Sequence, residues 1–258
     1  MAELSEKNIT PDFLYWVGSA GSFDDRAKKI TRAFVKVLNY ANVSFGVLGV
    51  EESTSGDVAK RAGNEFLFQM QAFSNIKTLN KYGVKKIITT CPHCFNTLKN
   101  EYPDLGGDYD VIHHTQLLKD LLDSGKLKIK NGSFKGKRIT YHDPCYLGRA
   151  NGIYEAPREV IKKLDAELVE MKSCKSKGLC CGAGGAQMFK ESEKGNEDVK
   201  DLRIKQALET KPDIIAAACP FCNTMLSDGL KEKVSNDSTS ILDLSLIHIS
   251  EPTRRRGI

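Results

Sequence analysis

The chain has 258 residues, 40% of them hydrophobic, enough for a packed core in one large domain or two of about 120 residues each. The formal charge of +5 comes from 38 basic and 33 acidic residues mixed along the chain, and it shrinks once Arg254, Arg255 and Arg256 are set aside, so a nucleic-acid partner is not implied. The opening stretch MAELSEKNITPDFLYWVG lacks the pattern of a secretory leader, and no run approaches the roughly 18 apolar residues of a membrane span. The expectation is a cytoplasmic chain, with any membrane association made through a partner. In that reducing compartment its eight cysteines are expected to be ligands or redox groups rather than disulfides.

Hydrophobic periodicity predicts strands and helices in alternation. A strand at Phe13 to Val17 precedes a helix from Asp24 to Tyr40, a strand at Val43 to Leu48, a helix from Asp57 to Lys81 and a strand at Lys86 to Thr90. A helix opened by Pro92 runs to about Asn100, before a strand at Tyr109 to Ile112 and a helix from Thr115 to Asp123. Gly125 to Lys137, with three glycines and five lysines, reads as a linker. The order then recurs: strand Arg138 to His142, helix Ala156 to Leu164, strand Glu167 to Met171, helix Val199 to Thr210, strand Asp213 to Ala217 and a helix after Pro220.

Sliding the sequence by 126 residues lays Ser19 on Cys145, Thr54 on Cys180, Ser55 on Cys181 and Gly56 on Gly182. Two further inserted residues bring Cys91 and Cys94 onto Cys219 and Cys222, and KKIITTCPHCFNTL onto DIIAAACPFCNTML. The reading is an α/β protein of two tandem Rossmann-like repeats, each a mostly parallel sheet with helices on both faces. Residues 1–125 form the first repeat, 126–136 the linker and 137–244 the second repeat. The segment from 245 to 258 resembles translated vector sequence and is set aside.

The second repeat carries Cys145, then Cys180-Cys181-Gly182 after 34 residues, then Cys219-Pro-Phe-Cys222 after 36 more. Each group follows a predicted strand, at the edge where open α/β sheets collect ligands. Thiolates suit zinc or iron-sulfur centres, but structural zinc takes four ligands, and neighbouring cysteines with Cα atoms about 3.8 Å apart diverge toward different metal atoms. A polynuclear centre fits five of them better. Gly182, Gly184 and Gly185 allow positive φ and close approach of backbone N–H groups to an anion, and Pro220 could start a helix aimed at the same place.

The pattern of one cysteine, a Cys-Cys-Gly and a Cys-x-x-Cys at these intervals resembles the cysteine-rich CCG domain found in heterodisulfide reductase, in the glycolate oxidase iron-sulfur subunit and in the lactate-utilisation iron-sulfur protein. The resemblance runs from WVGSAGSFDDR through CPHCFNTLKNEYP and HDPCYLGRANGIYEAPRE to GLCCGAGGAQMF and ACPFCNTML. It implies a [4Fe-4S]-type cluster, described in heterodisulfide reductase as non-cubane, on Cys145, Cys180, Cys181, Cys219 and Cys222. It also implies an electron-transfer subunit in heterodisulfide or 2-hydroxy-acid (lactate or glycolate) chemistry, working with a ferredoxin-type iron-sulfur or flavin oxidoreductase subunit. The first half departs from the pattern at Ser19, Thr54 and Ser55, so no cluster is expected there. Cys91 and Cys94 remain either as structural remnants or as a zinc site completed by His93, His113 or His114.

Other residues have plainer readings. Cys174, among lysines 172, 175 and 177, is expected to be an exposed thiol. His142, Asp143 and Arg149 either tune the centre or form a capped helix start with a surface arginine. Glu51, Glu52 and Asp57 read as solvated loop and helix-start charges. GAGG at 182–185 lacks the spacing of a dinucleotide fingerprint. Two other classes of function stay open: a zinc-stabilised α/β interaction module, and a thiol-disulfide exchanger using Cys91/Cys94 or Cys219/Cys222.

Overall fold

In the computed structural model, residues 1–129, 134–192, 195–233 and 239–247 are described. The short helix α1 (Ala2–Glu6) precedes strand β1 (Phe13–Trp16), helices α2 (Gly18–Phe23) and α3 (Asp25–Tyr40), and strand β2 (Phe45–Gly46). Helices α4 (Asp57–Arg61) and α5 (Glu65–Lys81), strand β3 (Lys86–Thr89), helix α6 (Pro92–Asn96), strand β4 (Asp110–His113) and helix α7 (His114–Asp123) complete the first half. The second half runs through β5 (Arg138–Tyr141), α8 (Glu155–Lys162), β6 (Glu167–Leu168), α9 (Val199–Glu209), β7 (Ile214–Ala217), α10 (Pro220–Lys233), β8 (Ser240–Asp243) and α11 (Leu244–Ile247).

Two four-stranded, fully parallel sheets result, ordered β2-β1-β3-β4 and β6-β5-β7-β8, so the halves repeat the same topology. The strands are short and buried on both faces, as parallel strands covered by helices must be. Alternation along them divides the interior. Tyr15, Ile88, Ile139, Tyr141, Ile214 and Ala216 all face one core that both halves share, together with Phe34, Leu118 and Val160 from the intervening helices. Leu14, Trp16 and Ile87 face an outer core of the first half, and Ile215 and Ala217 one of the second. Leu127 and Phe134, at the two ends of the glycine- and lysine-rich segment, are buried in the shared core.

Local chemistry sets the helix starts. Asp24 accepts from Ala27 N at 2.8 Å, and buried Ala27, Ile30, Phe34, Val37 and Leu38 then follow at helical spacing. The single helix expected over Asp57 to Lys81 is two helices, because Gly63 turns the chain at φ +85° and Asn64 caps a new start by accepting from Leu67 N. Beyond α6 the backbone widens into a π-helical turn at Thr97–Glu101, where an ordinary helix was expected to continue. β8 was not foreseen. It pairs with β7 as β4 pairs with β3, and Leu244 and Ser245 after it are buried. Residues 248–258, most of the segment set aside, lie outside those described. No helix among the described residues is long and apolar enough to cross a membrane.

Candidate metal centre

β5 and β7 lie side by side in the middle of their sheet, and the chain leaves them in opposite directions, to β6 and to β8. Loops after two such strands converge on the carboxyl edge of the sheet. Cys145 lies in the loop after β5, Cys219 directly after β7, and Cys222 in the first turn of α10, which Pro220 opens. The third loop is tied in by Asp143. Its carboxylate accepts from Arg158 Nη1 and Nη2 at 2.8 and 2.9 Å and from Lys175 N at 2.7 Å, fixing the approach to Cys180 beside the Cys145 loop. Gly182 turns the chain at φ +89° and donates its N–H to Cys180 Sγ at 3.3 Å.

The sulfurs form one continuous run. Cys145 contacts Cys180, which contacts Cys181; Cys181 contacts Cys222, and Cys222 contacts Cys219. Cys219 also meets Cys91 of the first half, which in turn meets Cys94. Seven of the eight cysteines therefore meet, against five expected from spacing. Hydrogen bonds from Cys145 and Cys181 hold the Cys180 thiol low, and those from Cys222 and Cys91 lower Cys219 despite its burial. Cys145, Cys181, Cys222, Cys91 and Cys94 are raised, chiefly by donating to a neighbouring sulfur and by burial. So many thiols this close cannot all ionise unaided, whereas bound cations would let them. A ring nitrogen of His142 and the sulfurs of Cys181 and Cys222 lie within 4.8 Å of one another, the one such group of three among the described residues. His142 is buried and accepts at Nδ1 from Arg203 Nε at 3.0 Å. Burial and the Arg203 charge push its imidazole down to about 3, which keeps it neutral.

The first half is built differently at the matching place. Ser19, Thr54, Ser55, Cys91 and Cys94 line one small cavity, closed by Phe221 from the second half. Glu52 is no solvated charge: its carboxylate accepts from Val17 N at 3.1 Å and Gly18 N at 2.5 Å, two backbone donors that would otherwise face the cavity edge. Asp57 is buried as well, bound to His93 Nδ1 at 2.8 Å and to Arg61 Nε at 3.2 Å. Arg61 also pairs with Glu101. Only Glu51 behaves as expected, joining Lys81 and Tyr82 near the surface. His93 packs against Tyr146 and Phe221, His113 caps α7 and Nε2 of His114 lies 3.5 Å from Asp243. None of these histidines joins Cys91 and Cys94 in a group of three ligands among the described residues. Cys174 is half-buried and outside the sulfur run, and Arg149 is exposed.

Sequence reasoning missed Arg203, the Cys91 contact and the Asp57–His93 pair. One signal was available for the first: Arg203 sits on the same face of α9 as buried Ile204 and Ala207, where an apolar residue belongs.

A doubled parallel α/β unit with a thiol-lined edge in its second copy defines a class of cysteine-rich proteins. The chain belongs to the CCG cysteine-rich domain family, whose profile matches twice, over residues 14–99 and 139–227. It is 46% identical over 243 residues to the probable iron-sulfur-binding oxidoreductase FadF of Bacillus subtilis, covering 94% of this chain and 34% of that protein. It is 45% identical to the EtfAB:quinone oxidoreductase of Syntrophomonas wolfei, over 91% of this chain and 33% of the relative. Against a dihydromethanophenazine:CoB–CoM heterodisulfide reductase component of Methanosarcina barkeri it is 37% identical, over 84% of this chain and 54% of that protein. The chain thus spans about a third of the length of the first two relatives. A solved structure of a hypothetical protein from Helicobacter pylori shares the fold at a TM-score of 0.61 and 11% identity, covering 95% of this chain and 50% of that one.

Proposed function

We propose that the chain is the cluster-carrying part of an iron-sulfur oxidoreductase, with one [4Fe-4S]-type cluster held by Cys145, Cys180, Cys181, Cys219 and Cys222. The observation that carries this reading is the meeting of five sulfurs from three loops at the carboxyl edge of β5 and β7. The residues present fit such a group. Their donors are soft thiolates, two of them are adjacent in sequence, and buried Arg203 Nη2 and His142 Nε2 have no protein partner. The vicinal Cys180–Cys181 pair supports the non-cubane form. When bound, the cluster supplies reversible one-electron transfer.

The chain's own residues arrange that exchange. Cys181, Cys219 and Cys222 are buried and Cys145 and Cys180 half-buried, so water is kept from one side and a partner can approach from the other. Asp143 and Arg158 hold two of the loops in register, and Gly182 N–H is spent on Cys180. The named relatives support a place in an oxidoreductase complex, with a ferredoxin-type or flavin module on a partner protein or on a longer parent chain. Their chemistry also supports a heterodisulfide, a 2-hydroxy acid or a quinone at the end of the electron path. Zinc on Cys91 and Cys94 is not part of this reading, because no third ligand joins them among the described residues.

The test is anaerobic purification with iron, sulfide and zinc analysis and electron paramagnetic resonance, on wild type and Cys181→Ser. Wild type should bind iron and sulfide together and give a cluster signal that the variant loses. Zinc without iron would replace this reading with the zinc-stabilised module, and a metal-free protein that still turns over would replace it with thiol-disulfide exchange.

A further inference from the structure

Two polar side chains beside the sulfurs are left without partners, and together they define how the site handles charge. Arg203 is fully buried. Its Nε donates to His142 Nδ1, and its Nη1 donates to Ser173 O at 2.7 Å and to Gln206 Oε1 at 3.1 Å. Its Nη2 has no partner, and among the described residues no carboxylate comes within ion-pair distance of it. The contrast with Arg158 is instructive, for that equally buried arginine is bound by Asp143 and Glu170. A buried cation without a counter-ion is strongly disfavoured, so a chain that keeps one needs an anion from another source.

His142 gives the direction in which that anion lies. A guanidinium can only donate, so the Nδ1 that receives Arg203 Nε must be the acceptor nitrogen of a neutral ring, and the proton sits on Nε2. Nε2 is buried and unpartnered, and the ring lies against Cys181 and Cys222. A protonated nitrogen has no lone pair to give a metal. It can, however, donate a hydrogen bond to sulfur.

Resting on the reading that a thiolate-ligated cluster occupies this place, we propose that Arg203 is its buried counter-charge and holds His142 as a hydrogen-bond donor to sulfur, not as an iron ligand. Arg203 and His142 are then positioning residues. Net charge and hydrogen bonds to sulfur set the potential of iron-sulfur centres, and each of these two contributions favours the more negative, reduced state. Removing either should shift the midpoint potential to more negative values.

The experiment uses the full chain, purified anaerobically, in wild-type, Arg203→Met, His142→Phe and His142→Gln forms. Iron content, redox titration followed by electron paramagnetic resonance, and melting temperature with and without iron are measured. Iron in wild type is the condition set by the proposed function; a wild type without iron sinks that reading before this one is reached. Given iron, Arg203→Met should lower the midpoint potential and shrink the gain in melting temperature on loading. Its metal-free form should melt at or above metal-free wild type, since an uncompensated buried charge has gone. His142→Phe should retain iron at a lowered potential, and His142→Gln, which keeps an N–H, should restore the potential toward wild type. The proposal is overturned if loaded Arg203→Met keeps the wild-type potential and melting gain. It is also overturned if His142→Phe loses iron along with a strong nitrogen hyperfine coupling present in wild type, which would make His142 a ligand. If Arg203→Met takes up no iron, its metal-free melting temperature decides: at or above wild type supports the proposal, below wild type overturns it.

Discussion

The two halves share strand order and helix placement, yet only the second presents a full set of sulfurs at its carboxyl edge. In the second half the loop donors and the buried arginine are left facing an anion that the protein itself does not supply. In the first, Glu52 takes the backbone donors of Val17 and Gly18, Asp57 takes His93 and Arg61, and hydroxyls stand at the remaining positions. The same backbone can therefore either hold open a place for an external anion or close it with an internal carboxylate. Three side chains and one glutamate make the difference.

The sharpest way to break this contrast is to exchange sulfurs. Cys219→Ser or Cys181→Ser should remove most bound iron, whereas Cys94→Ser should leave iron per chain unchanged by metal analysis. Equal losses from both halves would mean that the seven sulfurs work as one ligand set. A gain should come next in size: Ser19→Cys, Thr54→Cys and Ser55→Cys together with Glu52→Gly should raise iron content, while the three cysteines with Glu52 retained should not, because its carboxylate already occupies the backbone donors.

Stability at different pH sharpens the comparison further. Burial pushes the Glu52 carboxyl up to about 7 from 4.5, against the two backbone N–H groups that favour its ionised form. Between those values the folded chain keeps a proton that the unfolded chain has released, so stability falls as pH rises through that window. Glu52→Gln should remove this slope and raise stability at pH 8 by about 1 kcal/mol, a figure discounted because the residue is only half-buried; thermal denaturation at pH 5 and pH 8 checks it. Asp57 has the opposite sign. Burial alone would raise it, but His93 and Arg61 hold it below the usual carboxylate range, so its contribution is present above about pH 4 and is lost as pH falls through its lowered value. The smallest effect belongs to Cys174→Ser, which should alter neither iron content nor melting temperature.

Much of this arrangement was legible in the sequence because it rests on short-range pattern. Buried strands such as Ile214–Ala217, the prolines that open α6 and α10, and the repeat spacing of the cysteines are all local signals. What was hidden depends on how the halves meet. Nothing near Cys91 in sequence announces Cys219, and Asp57 looks like a helix-start charge until His93, 36 residues on, arrives beside it. β8 escaped because Ser240–Asp243 is a brief run that only pairing with β7 makes a strand. The break at Gly63 was a misread: glycine followed by asparagine signals a helix end and a new cap, and the apolar periodicity on either side masked it.

The interior common to both sheets explains why a half without its sulfurs persists. Tyr15 and Ile88 from one sheet and Tyr141 and Ile214 from the other are parts of a single apolar mass, so neither copy has a complete inside of its own. Cutting the chain between the copies would leave two fragments with one wet face each, and the folded state should be lost in a single transition. The silent copy endures as the opposite wall of its partner's house.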